Sequence, residues 1–379
     1  MKRVEWLSEG RPAMLRIACA VSVVLAGTST LVTQSDHGQE IVEISSEPSC
    51  GGCSIDLEHV ASLGLTSDPV SPMLSSLVAV DSEGRFFVAP TFSPGEIAMY
   101  SPGGEFIATF GRPGHGPGEF NDFTRLRVGP GDTVHVFDLN RHSKLAPDLE
   151  AFVSLQSLPV PPSDLVFLPE GRMIVSYMLL AADGRSHPLH LLNSHGDILR
   201  SFGGDSVGPA AEQRYAMLRR LALASGNRIW VAHFNEYRIE LWDANGSHYL
   251  TVVRNADWFR PWDGIPIRGE ILHEKPRPRL TSVWEDTQGR LWTVINVADR
   301  NWKALGRHGP VPVGSVDLSR FWDTIIEVLD VRQGRLIARA RFDESMPTFI
   351  GDAGMLHSTQ ETADGDIRID VWRVRLLTR

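Results

Sequence analysis

Four oxygen-bearing side chains, Asp138, Asn235, Asn296 and Asp299, each stand just past an apolar run, with Asn140 close behind the first. Carboxylate and amide oxygens are the ligands calcium takes. His142 and His233 accompany them, and imidazole is suited to moving protons near neutral pH. A cation polarising a carbonyl beside such a base would support ester or lactone hydrolysis. Asn and Asp are also favoured in turns on conformational grounds, so turn chemistry is the competing reading.

A second set could hold a ligand without reacting with it. Trp258-Phe-Arg-Pro-Trp262 supplies paired indoles for stacking a sugar ring or a peptide, and Arg141, Arg300 and Trp302 supply charge and a further ring. Packing between structural units is the alternative for the indoles. The pair Cys50-Gly-Gly-Cys53 reads as a local disulfide of an oxidising compartment. Ser54 stands where a c-type haem site needs histidine, and only His59 is close enough to join a zinc site. His115, His195 and His308 lie in glycine- or charge-rich stretches and read as exposed. No nucleophile elbow, phosphate loop or zinc-protease helix motif is present.

The elements that must position these groups are short strands. Residues 221–253 hold four apolar or alternating runs broken by Ser225-Gly-Asn227, a polar segment, and Asn245-Gly246. This pattern predicts a four-stranded meander, one blade of a propeller. Inner strand pairs recur at 77–88, 126–136, 165–175, 221–231, 283–294 and 349–357, turning at Gly84, Gly131, Gly171, Gly226, Gly289 and Gly354. Glycine fits because a two-residue hairpin needs the positive φ that other residues resist. Outer hairpins are predicted at 97–110, 189–202, 239–253 and 325–342, with a poorer one at 144–155.

The last unit has no outer strand of its own, while residues 55–63 near the N-terminus form a strand without a blade. Joining the two leaves no open sheet edge. The expectation is an all-β, six-bladed β-propeller, closed by the N-terminal strand completing the last blade. Antiparallel order puts first-to-second and third-to-fourth turns on one face, where they are tight. The other face carries the long segments 111–122, 177–188, 204–219, 254–282 and 297–322, and binding usually resides in such loops.

Residues 1–33 read as an export signal, with Lys2, Arg3, Arg11 and Arg16 ahead of an apolar run and Ala26-Gly-Thr-Ser29 for cleavage. Met14 is an alternative start. Residues 34–54 form an N-terminal segment with the cysteine pair, and 55–379 the propeller. An exported protein, periplasmic or extracellular, with no membrane span in its mature chain, is expected. A net charge of -9 without a basic run argues against nucleic acid.

Residues 230–246, Trp-Val-Ala-His-Phe-Asn-Glu-Tyr-Arg-Ile-Glu-Leu-Trp-Asp-Ala-Asn-Gly, resemble an NHL-type repeat, and 110–120, Phe-Gly-Arg-Pro-Gly-His-Gly-Pro-Gly-Glu-Phe, resemble its inter-blade linker. With the early Cys-x-x-Cys and the 286–292 box Asp-Thr-Gln-Gly-Arg-Leu-Trp, the chain is similar to exported bacterial six-bladed propellers. His233 replaces the usual acidic residue before the third strand. The resemblance implies the fold and no common activity. Two functions are therefore expected. The first is a binding module that holds a protein, peptide or glycan at the long-loop face and channel. The alternative is a calcium-dependent lactonase or esterase, with Asp138, Asn235, Asn296 and Asp299 as ligands and His142 or His233 as base.

Overall fold

The computed structural model describes residues 40–64, 68, 72–159, 161–180, 186–204, 218–262, 274–304, 321–362 and 364–378. The expected export signal and His308 lie outside them. Two strands, β1 (Glu40–Glu43) and β2 (Cys53–Leu63), precede the first blade. Blade 1 is β3 (Ser76–Val80), β4 (Phe86–Pro90), β5 (Ile97–Tyr100) and β6 (Phe106–Phe110). Blade 2 is β7 (Phe123–Val128), β8 (Val134–Asp138), β9 (Arg141–Leu145) and β10 (Phe152–Ser157). Blade 3 is β11 (Asp164–Phe167), β12 (Met173–Leu180), β13 (Ser186–Leu192) and β14 (Ile198–Phe202). Blade 4 is β15 (Arg219–Ala224), β16 (Arg228–His233), β17 (Arg238–Asp243) and β18 (His248–Val253). Blade 5 is β19 (Arg279–Glu285), β20 (Leu291–Ala298), β21 (Trp322–Asp330) and β22 (Arg335–Phe342). Blade 6 is β23 (Phe349–Ile350), β24 (Met355–Glu361) and β25 (Ile367–Thr378), and β2 adds to it antiparallel to β25. The chain is a six-bladed β-propeller closed by its N-terminal strand.

Burial follows each strand's place in its blade. The middle strands are covered on both faces by neighbouring blades and read as near-continuous apolar runs, β20 being buried throughout. Outer strands alternate, as in Phe106–Phe110 and Phe152–Ser157, because beyond the neighbouring blade one face meets water. Trp230, Ile239 and Leu241 of blade 4 pack against Leu280, Val283, Ile295 and Ile325 of blade 5. Each such side chain contributes roughly 1.5–3 kcal/mol by burial.

The tight turns differ from the expected two-residue form. Asp81 N–H donates to the Arg85 carbonyl at 3.1 Å and Asp286 N–H to that of Arg290 at 3.0 Å, so three residues form each loop. Asp81 Oδ1 accepts from the Glu83 and Arg85 amides at 3.0 and 2.8 Å, and Asp286 Oδ1 from those of Gln288 and Arg290 at 2.9 and 3.0 Å. The carboxylate closes the turn, and Gly84 (φ 83°) and Gly289 (φ 73°) take the left-handed position that ends it.

Residues 40–50 run along the outer edges of two blades. β1 lies parallel to β18. Ser45 N–H then donates to the Gly334 carbonyl at 3.1 Å and Ser49 N–H to that of Leu336 at 2.7 Å, on blade 5. A Cβ on Gly334 (φ 62°) would stand 2.8 Å from the Glu43 carbonyl, so the strap's approach requires glycine there. Cys50 and Cys53 form a disulfide, after which β2 enters blade 6. One N-terminal strap thus joins blades 4, 5 and 6.

Candidate ligand-binding mouth of the channel

Inner strands begin at the long-loop face, where their first residues pair with the ends of the second strands: Ser76 with Pro90, Phe123 with Asp138, Asp164 with Ser176, Arg219 with His233, Arg279 with Asn296. β3 packs beside β7, β11 beside β15, β15 beside β19, β19 beside β23, and β23 beside β3. At this end the chain places arginines. Arg125 Nε donates to the Ser163 carbonyl at 2.8 Å, its Nη2 reaches the same oxygen, and Arg220 Nη1 donates to it at 3.0 Å. Arg127 Nη2 pairs with Asp164 Oδ1 at 2.9 Å. Three blades are bridged by these contacts.

Aromatic rings adjoin the arginines on blades 4 and 5. The Arg279 guanidinium lies 3.6 Å from the centroid of Trp322, and Arg220 lies 5.1 Å from that of Phe234. Residues 275–278, with Lys275 and Arg277 exposed, form an irregular segment that leads Arg279 into β19.

Two bulky apolar residues stand exposed at the ends of second strands. Phe92 is 58% exposed and Leu139 47%, at φ 51° and 53°. Their backbone N–H groups donate to the Phe123 and Asp122 carbonyls at 2.9 and 3.2 Å, which holds both turns in place. Left-handed backbone costs an L-residue roughly 1–2 kcal/mol. Beside the Phe92 turn is a cleft of about 190 Å³, lined by Met73, Pro90, Pro94 and Tyr100 among others. The Tyr100 hydroxyl is buried without a hydrogen-bond partner among the described residues, and burial raises its pKa to about 12.

The residues named from sequence fall into several environments. Asp138 is buried, and its carboxylate accepts from the Asn121 and Asp122 amides at 3.2 and 2.9 Å and from Arg141 Nη1 at 3.2 Å. Arg141 Nη2 also donates to the Gly116 and Glu119 carbonyls at 3.1 and 3.2 Å, fastening the linker to blade 2. Asn235 Nδ2 donates to the Trp262 carbonyl at 2.5 Å, and Asn296 Nδ2 to Thr324 Oγ1 at 3.3 Å. Asp299 Oδ1 accepts from the Asn301 amide, and Arg300 faces Asp343 at 3.6 Å. Asp138 and Asp299 belong to blades 2 and 5, opposite one another in a ring of six. The two carboxylates are held by their own neighbours on opposite blades, and among the described residues no three His, Cys, Asp or Glu side chains gather as a metal set. These residues as arranged do not fit a shared calcium site.

His142 is fully buried in β9, stacked on Phe137 with centroids 4.4 Å apart. Its Nε2 lies 2.8 Å from His135 Nδ1 and its Nδ1 2.9 Å from Gln156 Nε2, so both ring nitrogens are engaged inside the blade. Burial, with Lys144 adding, pushes its pKa down to about 3. His233 Nε2 lies 3.2 Å from Glu240, while burial and then the Arg219 charge lower its pKa to about 4. Both rings are neutral at pH 7.

Trp258 is half-buried against Tyr237, with Arg339 5.7 Å from its ring, between blades 4 and 5. Trp262 is 8% exposed and its indole N–H donates to the Pro278 carbonyl at 2.7 Å. The two indoles therefore pack the 254–262 segment onto the propeller. Trp302 is half-buried, its backbone N–H donating to the Asp299 carbonyl at 3.1 Å. Sequence reasoning examined the ends of the second strands and so missed Arg125, Arg127 and Arg220 on the inner ones. The signal was present in Arg125-Leu-Arg127 and Arg219-Arg220.

No family model matches the chain, and no curated protein matches it in sequence. Solved structures match the fold. A member of the DUF4221 family from Bacteroides vulgatus aligns with a TM-score of 0.59 at 10% identity, over 86% of this chain and 99% of that one. A Bacteroides fragilis protein, provisionally described as exported, aligns with a TM-score of 0.58 at 10% identity, over 89% and 100%. A streptogramin B lyase aligns at 0.44 and 11% identity, over 86% and 98%, too distant to bear on chemistry. At such identities the likeness is one of fold. No helix among the described residues is long and apolar enough to cross a membrane.

Proposed function

We propose that the protein is an exported binding module, periplasmic or extracellular, that holds a peptide, protein or glycan on its long-loop face around the channel mouth. The observation that carries this reading is the pair Phe92 and Leu139. Both expose a large apolar side chain to water at a backbone conformation that glycine would adopt without strain. A sequence specifying only the fold gains nothing from either feature, whereas strained residues cluster where structure serves binding. The cleft beside Phe92 and the arginine-aromatic cluster on blades 4 and 5 extend the same face.

Replacing Phe92 and Leu139 together with glycine is expected to leave the protein as stable as before or up to about 2 kcal/mol more stable, as relief of strain offsets added backbone entropy. The same variant is expected to lose its ligand. Peptide and glycan arrays probed with the parent protein and with this variant test it, with Leu223→Ser on the tight-turn face as the control. Binding by the parent and by Leu223→Ser, lost in the double variant, supports the assignment. Binding retained by the double variant and lost with Leu223→Ser would place the ligand on the opposite face and defeat it.

A further inference from the structure

We infer that Arg125, Arg127 and Arg220 receive an oxyanion group, carboxylate or phosphate, carried by the ligand of the channel mouth. This inference rests on the assignment of that mouth as the binding face and names the chemistry of what enters it. The argument is one of charge and acceptors. Three guanidinium groups from blades 2 and 4 meet at the first residues of blade 3, and among the described residues the single carboxylate hydrogen-bonded to them is Asp164. Its oxygens are already taken: Oδ1 by Arg127 and by the Leu165 amide at 3.0 Å, Oδ2 by the Leu221 amide at 3.0 Å. Among the described residues Arg125 and Arg220 hydrogen-bond to no carboxylate, the Asp164 charge acting on both from a distance, and they converge on one neutral oxygen, the Ser163 carbonyl. The remaining contacts of Arg125 and Arg127 are the carbonyls of the residues preceding them, Thr124 and Leu126.

Like charges crowded against one neutral acceptor repel each other, and the repulsion grows as water is displaced. Burial, and after it the Arg220 charge, lowers the Arg125 pKa, while Asp164 opposes the shift. Arginine does not deprotonate in a protein, so the charge stays and an anion relieves it. The guanidinium fork matches the two oxygens of a carboxylate or phosphate. The position fits entry from solvent, because residues 123–125, 163–164 and 219–220 lie at or near the starts of inner strands on the long-loop face, with Arg127 further along β7.

The test is thermal unfolding and titration calorimetry of the purified protein with inorganic phosphate and, separately, with galacturonate, against chloride at matched ionic strength. Phosphate or galacturonate is expected to raise the unfolding midpoint where chloride does not, since a ligand that binds only the folded state stabilises it. The arm with the larger shift identifies the source of the oxyanion. Arg125→Gln and Arg220→Gln are expected to weaken binding by about tenfold or more, and Arg172→Gln, on the tight-turn face, to leave it unchanged. Should a glutamine variant fail to fold, Arg220→Lys keeps the charge and removes the fork, and the same loss is expected. Superimposable curves in phosphate, galacturonate and chloride would overturn the inference, as would affinity unchanged in the arginine variants. Array binding that depends on Phe92 without any anion preference would overturn it while leaving the binding face standing. Anion binding that depends on Arg125, with array binding indifferent to Phe92 and Leu139, would do the reverse.

Discussion

Glu327→Ala is expected to destabilise the protein by about 3–5 kcal/mol, the range for breaking a buried ion pair from one side. Glu327 is fully buried, and its carboxylate accepts from Arg339 Nε at 2.6 Å, Arg254 Nε at 2.8 Å, Arg254 Nη2 at 3.1 Å and the Tyr237 hydroxyl at 2.5 Å. The Arg254 side chain is 1% exposed. Without Glu327 its charge stays buried and loses its counter-ion. The damage spreads because Arg254 also donates to the Ser45 and Ser46 carbonyls of the N-terminal strap, and Arg339 Nη2 donates to that of Ser46 at 3.0 Å. One carboxylate thus anchors the arginines that hold the strap across blades 4 and 5. Chemical denaturation of the two proteins measures the effect. Removing both charges, as in Glu327→Leu with Arg254→Met, is expected to cost less than the sum of the single changes, because neither is left unpaired. A loss under about 1 kcal/mol for Glu327→Ala would show that the pair does not secure the strap.

Acid is expected to unfold the protein well before its carboxylates protonate. Burial, the largest cause in each case, holds His135 at about 2, His142 at about 3, and His233 and His357 at about 4. These values lie below the ordinary 6.5, so below pH 6.5 the unfolded chain binds protons that the fold excludes. Stability is therefore full above about pH 6.5 and falls as pH drops through the window from 6.5 to 4, further still for the His135–His142 pair. By pH 5 each histidine costs up to roughly 2 kcal/mol relative to neutral pH. Glu240 titrates outside that range: burial opposes its charge, yet His233, Trp242 and Arg238 hold its carboxyl at about 2, so its contribution is lost only in stronger acid. Denaturant midpoints at pH 7.5 and pH 5 test this, with His357→Gln expected to flatten the slope. Equal midpoints at the two pH values would show these rings to be protonated in the fold.

The blades were legible because each inner turn carries a residue with one physical job. Gly84, Gly131, Gly171, Gly226, Gly289 and Gly354 all take positive φ, and the apolar runs on either side are covered on both faces. Closure was legible from the missing fourth strand of blade 6. The strap was not, since the partners of Glu40–Glu43, Leu250–Val253, and those of Ser45–Cys50, residues 334–337, lie far along the chain. β9 misleads in another way: Arg-His-Ser-Lys-Leu looks like a polar loop, yet His142, Ser143 and Leu145 are buried. His142 is satisfied by His135 across the hairpin, a pairing that only the strand register reveals. The arginines of the inner strands resemble solvated polar residues until the ring brings blades 2, 3 and 4 together.

Hydrogen exchange on the protein with and without the strongest ligand from the peptide and glycan arrays tests the binding face most directly. Slowed exchange is expected at residues 90–95, 123–127, 139–141 and 219–220, around the long-loop mouth. Protection confined to the tight turns at 81–85, 226–228 and 286–290 would contradict the assignment and move the binding surface to the other end of the channel.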